Sequence, residues 1–452
     1  MTLWRWVRQH WEWRREALRT NLWLVPSLEV IGAVALFAVT YLIDAASYAG
    51  HVTLPSWVMA GTADSGRQIL IVIAGALVTV VGVVFSVIIV ALSLASTQFG
   101  PRMLRTFIRD RGAQFTLGTY VSTFAYALLV LISIEPGPHG DFVPHLSITV
   151  AMAGMGLDVA VLIYFIHHIT VEIQLPRVIA RIAAELSKAI TEQGGTGRRG
   201  TPSPVAGDSV QEWLGRLEQS SGVVCVHRSG YLQFIRHQSL VRIAAKADAV
   251  ILLPYRPGHF LVAGSGMARV WPPEAAPVVQ RHLAKAGVTG HSRTLSQDVS
   301  FGVDQLVEIA LRALSPAVND TFTALTCIDW LGSSLCQITD DWRPSGVHRD
   351  AQGMIRVIST EAGYDRLVQR SFEKIRQAGA GVPAVMIRQL ESLAKIMERT
   401  TTAEQRALLL HQAEMIHEAT PSVPESADRD DVTRRYEALR AMHAERATSS
   451  AG

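Results

Sequence analysis

The sequence has few cysteines, little charge and none of several short motifs that mark common enzyme classes. Its three cysteines include no Cys-x-x-Cys pair, which gives no reason to expect a disulfide framework. Charged residues make up 18% of the chain, below the roughly 25% of ordinary soluble domains. The net charge of +3 provides no general case for nucleic acid binding. A Walker loop, His-Glu-x-x-His and Gly-x-Ser-x-Gly are absent, so we expect no enzyme, cofactor or metal.

Long apolar runs are what the sequence has in abundance, and they are concentrated in its N-terminal third. Four of them cover residues 22–43, 69–95, 117–134 and 146–169. Each can cross about 30 Å of hydrocarbon at about 1.5 Å per residue, and each must be helical there to pair its backbone amides. The pattern predicts a four-helix transmembrane domain over residues 22–190, in contact with the lipid bilayer.

Basic residues predict the direction of these spans. They cluster before the first span, between the second and third, and after the fourth, whereas the other two loops carry only Arg67. The positive-inside rule then places both termini in the cytoplasm. An even number of spans agrees, because it puts both termini on the same side of the membrane. Residues 1–21 interleave tryptophans with arginines, which is typical of an interfacial amphipathic segment.

The rest of the chain predicts a soluble α+β region. Residues 191–209 are rich in Gly, Ser, Thr and Pro and indicate a linker. Short β-prone runs over 210–273 predict a small β-barrel or sandwich module, and 274–446 is mainly helical. The tail at 447–452 is predicted to be disordered. The predicted fold class is therefore a membrane α-helical bundle followed by a cytoplasmic α+β region.

Three long segments resemble one family. VVFSVIIVALSLASTQFGPRMLRTFIRD at 83–110, YFIHHI at 164–169 and FGVDQLVEIALRALSPAVNDTFTALTCIDWLG at 301–332 are similar to domain-of-unknown-function family 2254, a group of bacterial predicted membrane proteins. The resemblance spans nearly the whole chain. It implies an inner-membrane protein with a cytoplasmic C-terminal part, and it implies no activity.

The second span carries a stripe of small and weakly polar residues. They recur at steps of three, four or seven, and at about 100° per residue they share one narrow face. Such a stripe allows helices to pack closely, or it lines a water-filled pathway. The members of this stripe are Gly75, Thr79, Gly82, Ser86, Ser93 and Thr97.

Arginines follow the second span directly. Gly100-Pro101 ends that helix, and Arg102, Arg105 and Arg109 share one face of a short amphipathic helix predicted after it. Repeated around an oligomer axis, they would form a cationic cytoplasmic mouth that favours anions. The simpler interpretation is a topology signal that binds lipid phosphates.

Four ionisable residues fall within or at the ends of the spans. Asp158 lies near the bilayer midplane, where it must be protonated, paired or in contact with water. Glu29 lies in the cytoplasmic leaflet, with His167, His168 or an arginine as possible partners. The adjacent histidines point about 100° apart on a helix, so we interpret them as interfacial anchors and not as metal ligands.

A polar helix break occurs further along the chain. A ligand could bind there at a helix N-terminus, although local capping and turn formation account for each residue. The residues of this turn are Arg312, Ser315, Asn319, Asp320 and Thr323.

Two functions follow as hypotheses. The first is an oligomeric, channel-like protein for a small ion, lined by the second span and gated by the cytoplasmic domain. The second is a non-conducting membrane sensor or scaffold that binds a ligand or partner through that domain. Both expect a homo-oligomer, and neither involves nucleic acid.

Overall fold

The computed structural model describes residues 23–99, 110–137, 140–194, 209–342 and 346–449. The chain divides into two compact units, Met1–Arg177 and Val178–Gly452. The predicted interfacial segment at 1–21 and the residues Arg102, Arg105 and Arg109 lie outside the described residues.

The first unit contains four apolar helices, which confirms that part of the predicted fold class. They are α1 (Leu24–Tyr48), α2 (Ala63–Phe99), α3 (Arg111–Ile132) and α4 (His145–Glu172). All four are long and apolar enough to cross a membrane. A short antiparallel hairpin, β1 (Glu135–Gly137) and β2 (Gly140–Phe142), connects α3 to α4.

Helix α3 forms the centre of the first unit, because it packs against α1, α2 and α4. Its Tyr120, Ala127 and Val130 are fully buried, and α2 contributes Leu70 and Leu77 to the same core. Several polar groups inside this core are paired with one another, which offsets the cost of burying them away from water. For example, the Tyr126 hydroxyl lies 2.9 Å from Oγ1 of Thr40 on α1.

Helix α1 continues past the end of its predicted span, and this added part includes Asp44, whose side chain contacts α4. Oδ1 of Asp44 accepts a hydrogen bond from the amide of Leu146 at 2.9 Å, and Oδ2 accepts from the amide of Ser147 at 2.9 Å. The Ser147 hydroxyl adds a third bond at 2.7 Å. A buried carboxylate of α1 therefore caps the N-terminus of α4.

The second unit is a mixed helical and sheet region, as predicted. Helix α5 (Leu175–Gly194) contains the division between the units and extends into the predicted linker. Its Ile179, Ile182, Leu186 and Ile190 recur at helical spacing and are buried.

The strands of the second unit form two small open sheets. The five-stranded sheet has the order β3-β7-β5-β10-β9, and the three-stranded sheet has the order β6-β4-β8. Among the strand pairs of the described residues, β5 and β10 are the only parallel one. The strands are β3 (Gly222–Cys225), β4 (Gly230–Ile235), β5 (Val250–Leu253), β6 (Phe260–Leu261), β7 (Gly266–Trp271), β8 (Gly287–Gly290), β9 (Val347–Arg349) and β10 (Ile355–Ser359).

A closed barrel over 210–273 is not formed. Strand β5 pairs with β10, which lies far later in the chain, and β4 leaves to pair with β6 and β8. The sequence prediction used only local strand patterns, which do not reveal such a distant partner.

Helices cover the sheets and then continue as a helical bundle. The core of the five-stranded sheet includes residues of α7 and α8 on one face and Leu217 of α6 on the other. In the bundle, α9 contacts α10 and α11, and α12 contacts α10 and α14. The helices are α6 (Val210–Gln219), α7 (His237–Lys246), α8 (Ala276–Ala286), α9 (Val299–Ala313), α10 (Thr321–Asp341), α11 (Tyr364–Ala378), α12 (Pro383–Arg399), α13 (Ala403–Glu418) and α14 (Ser426–Ser449).

Candidate functional site

The α2 stripe faces away from the helical core of its own unit. The buried side of α2 is formed by Leu70, Ile73, Leu77, Val84 and Ala91. At about 100° per residue, the centre of the stripe lies roughly 170° from this buried side. Stripe residues 75, 79, 82, 86 and 93 are all exposed, and the side chain of Thr97 lies outside those described.

The stripe leaves the α2 backbone open to approach. A Cβ atom added at Gly75 or Gly82 would meet nothing within 4 Å. The Thr79 hydroxyl donates to the Gly75 carbonyl at 3.1 Å, so this polar group is satisfied by its own helix. The α2 backbone at Gly75 and Gly82 is therefore open to close approach.

Asp158 points into the helical bundle. Its residue surface is 1% exposed, and Oδ1 accepts a hydrogen bond from Oγ1 of Thr123 at 3.3 Å. The Tyr120 hydroxyl donates to the Asp158 carbonyl at 2.8 Å. Oδ2 is buried and has no hydrogen-bond partner among the described residues. Asp158 thus joins α4 to α3 through one carboxyl oxygen and leaves the other unpaired.

The other ionisable residues of the spans have separate neighbours. Glu29 lies beside α3, where its Oε2 is 3.5 Å from the Thr119 hydroxyl. His168 pairs with Asp110 at 2.8 Å between Nε2 and Oδ2, and Asp110 also caps α3 by accepting from the Ala113 amide. His167 is exposed. The structure therefore places Glu29 and His168 at different polar contacts.

The turn between α9 and α10 is held by local hydrogen bonds. Asp320 accepts from the Thr323 amide at 3.1 Å and from the Thr323 hydroxyl at 2.5 Å, as an N-cap does. The Ser315 hydroxyl donates to the Arg312 carbonyl at 2.7 Å. Asn319 adopts φ +50, which suits asparagine in a turn. These roles match the capping interpretation of the turn.

Sequence reasoning missed a cluster of metal-type ligands in the second unit. His237 begins α7, His348 lies in β9, and Glu361 follows β10. One potential ligand atom from each lies within 4.8 Å of the other two. The imidazole rings of the two histidines stack with centroids 4.1 Å apart and planes inclined by 16°. No local spacing could reveal this cluster, because its members come from three distant segments.

Burial keeps both histidines of this cluster neutral. It lowers the pKa of His237 to about 3, with a further contribution from His348. Burial likewise lowers the pKa of His348 to about 4. The pKa of Glu361 is raised by burial, against a hydrogen bond from Ser359 and the charge of Arg256. Neutral imidazoles offer a nitrogen lone pair, which is the form that binds cations.

A network of arginines and aspartates lies in the same unit. Arg293 donates to Asp298 at 2.8 Å and also binds Asp304, which in turn accepts from Arg370. Burial raises the pKa of Asp298, while the adjacent Arg293 opposes that shift. Arg256 interacts electrostatically with this network and with Glu361. The network holds the segment before α9 to α11.

Comparisons with known proteins give a family match and uncharacterised relatives. A family model described as "Predicted membrane protein (DUF2254)" matches residues 19–395. An uncharacterised protein of Mycobacterium bovis is 29% identical over 427 residues, covering 92% of this chain and 78% of the relative. An uncharacterised protein of Mycobacterium tuberculosis strain H37Rv gives the same identity and coverage. No solved structure matches this chain.

Proposed function

This chain belongs to the DUF2254 family of predicted membrane proteins, and we propose that it is a pore assembled from several copies around α2. The outward-facing α2 stripe carries this proposal. Its members from Gly75 to Ser93 span about 27 Å at 1.5 Å per residue, close to the thickness of the hydrocarbon layer.

The stripe is poorly suited to face lipid. Large apolar side chains cover other exposed parts of α2, including Ile71, Val72 and Ile89. Gly75–Thr79 and Gly82–Ser86 have the spacing of small residues that allow close helix packing. In a ring of copies, Thr79, Ser86 and Ser93 would form successive rings of hydroxyls, about 10 Å apart along the axis. Such rings can replace part of the hydration of a passing ion.

The remaining parts of the proposal follow from the basic residues. Arg102, Arg105 and Arg109 come directly after the stripe and would surround its cytoplasmic end, which favours anions. The termini lie in the cytoplasm in this proposal, the membrane is the bacterial inner membrane, and the second unit gates the pore.

Replacing Gly82 with leucine is the sharpest test of this function. A Cβ atom at Gly82 meets nothing within 4 Å in the single chain, and Gly82 is exposed. Leucine also has a higher helix propensity than glycine, so the subunit should fold normally. We expect chloride efflux from proteoliposomes to be lost in Gly82→Leu, and also in Ser86→Leu. Val83→Leu is the matched control, because Val83 is exposed but lies outside the stripe.

The same assay separates the outcomes. Chloride efflux that is lost in Gly82→Leu and retained in Val83→Leu supports a pore lined by α2. Equal efflux in all variants contradicts that assignment. Wild-type vesicles that release chloride and potassium no faster than empty vesicles contradict any pore.

A non-conducting sensor is the second candidate, favoured by the charged and histidine-containing clusters of the second unit. In that case the stripe is only an interface between copies. Native mass spectrometry would then show Gly82→Leu weakening the assembly, while wild-type vesicles remain tight.

A further inference from the structure

We infer that His237, His348 and Glu361 form a binding site for a divalent transition-metal cation of the Zn²⁺ class. The site lies entirely in the second unit, so this inference goes beyond the proposed pore and does not depend on it.

The separations among the three donors fit a single ion. Three atoms within 4.8 Å of one another share a point no more than about 2.8 Å from each. Zinc–nitrogen and zinc–oxygen bonds are about 2.0–2.2 Å long. Each donor therefore has to move by less than about 1 Å. The nearly parallel imidazoles must also turn toward each other on binding, because each nitrogen lone pair lies in its ring plane and both have to point at the ion.

Helix α7 and the β9–β10 strand pair position the three donors. Helix α7 packs against β9 and β10, which brings His237 over His348. The β9–β10 pair is closed by a hydrogen bond from the Ser359 amide to the Gly346 carbonyl at 2.7 Å. Two of the three donors are thus fixed relative to one another by main-chain pairing.

Ser359 supplies a second layer of support. Its hydroxyl donates to Oε1 of Glu361 at 2.9 Å and lies 3.2 Å from Nε2 of His348. Ser359 is itself buried. A hydrogen-bonding group beside ligating histidine and carboxylate side chains orients them and tunes affinity, as in established metal sites.

The donor set selects the class of metal. Two imidazoles and one carboxylate suit Zn²⁺ and its neighbours among the transition metals, whereas Ca²⁺ and Mg²⁺ prefer oxygen ligands. Three protein ligands leave one tetrahedral position for water or an anion. The positive charge of Arg256 acts on Glu361 and opposes cation binding, and the negative charge of Asp298 acts on the same guanidinium.

The test uses full-length protein without a histidine tag, purified in detergent and stripped with a chelator. Cys225→Ser serves as the background, because Cys225 is an exposed thiol that could bind zinc. Titration with Zn²⁺ by calorimetry should give saturable binding of one ion per chain. Co²⁺ should give the visible absorption bands of a low-coordinate site.

Variants then identify the ligands. Glu361→Gln keeps the side-chain volume, and His348→Ala removes an imidazole; each should weaken Zn²⁺ binding by roughly 100-fold or more. His227→Ala is the matched control, because His227 is an exposed histidine of the same unit, and it should bind like the background. Loss of the cobalt bands in Glu361→Gln, with unchanged thermal unfolding of the metal-free protein, supports the site. Absence of saturable binding, or equal affinity in all variants, overturns it.

Discussion

Removing the carboxylate of Asp44 tests how the membrane unit is held together. Asp44 is 3% exposed and accepts three hydrogen bonds from Leu146 and Ser147 at the start of α4. Asp44→Ala deletes an N-cap, worth about 0.5–2 kcal/mol. That figure describes the loss of one amide partner, whereas here two main-chain amides lose theirs, at about 1–3 kcal/mol each if they stay buried. Allowing for partial hydration, we expect a loss of about 2–5 kcal/mol.

Hydrogen exchange in detergent locates this loss. Amides over residues 145–152 should exchange faster in Asp44→Ala, and thermal unfolding should shift downward. Asp44→Asn keeps one acceptor oxygen and should show a smaller effect. Asp64→Ala is the matched control, since Asp64 is exposed at the start of α2 and should change stability by less than about 1 kcal/mol. Unchanged exchange at the start of α4 would refute the capping role of Asp44.

Two further substitutions follow from the same reasoning. A methyl group at Gly118 would overlap the Glu29 carboxylate and lie 3.0 Å from Pro26 Cα. Gly118→Ala should therefore lower the free energy of unfolding by about 1–3 kcal/mol. Gly32→Ala is the control, because a methyl group there meets nothing within 4 Å and should leave stability unchanged. Thermal unfolding of the two variants in detergent measures the difference, and equal unfolding temperatures for Gly118→Ala and Gly32→Ala would contradict the prediction. In the second unit, burial raises the pKa of Asp350, but hydrogen bonds from Arg356 and main-chain amides outweigh it and hold that pKa below its ordinary value. The folded state therefore loses stability as the pH falls through and below about 4. Asp350→Asn should remove this part of the acid dependence in unfolding scans between about pH 5 and 3. An equal dependence of stability on pH in the wild-type protein and the variant would contradict this prediction.

The spans could be predicted from the sequence because their signal is local. Hydropathy identifies each apolar run, and lipid leaves helix as the only conformation that pairs the backbone. The ends were less predictable. The first predicted span stops before Asp44, although α1 continues to Tyr48. A carboxylate normally marks the end of an apolar run, and the main-chain amides that bind Asp44 lie about a hundred residues further along the chain.

The same distinction between local and distant contacts explains which parts of the candidate sites could be predicted. The capping of α10 by Asp320 could be predicted because donor and acceptor are three residues apart. The direction of the α2 stripe required knowledge of which side of α2 packs on α3. The histidine and glutamate cluster depends on α7 lying over β9 and β10. The prediction of a small β-barrel or sandwich module over 210–273 missed the pairing of β5 with β10 for the same reason.

A reconstruction of the protein in lipid nanodiscs by electron cryomicroscopy tests the central claim most directly. The pore proposal predicts several copies around one axis, with α2 nearest that axis and Gly82 and Ser86 facing a continuous polar tunnel. A single copy, or an assembly in which α2 faces lipid and no tunnel crosses the membrane, would contradict it.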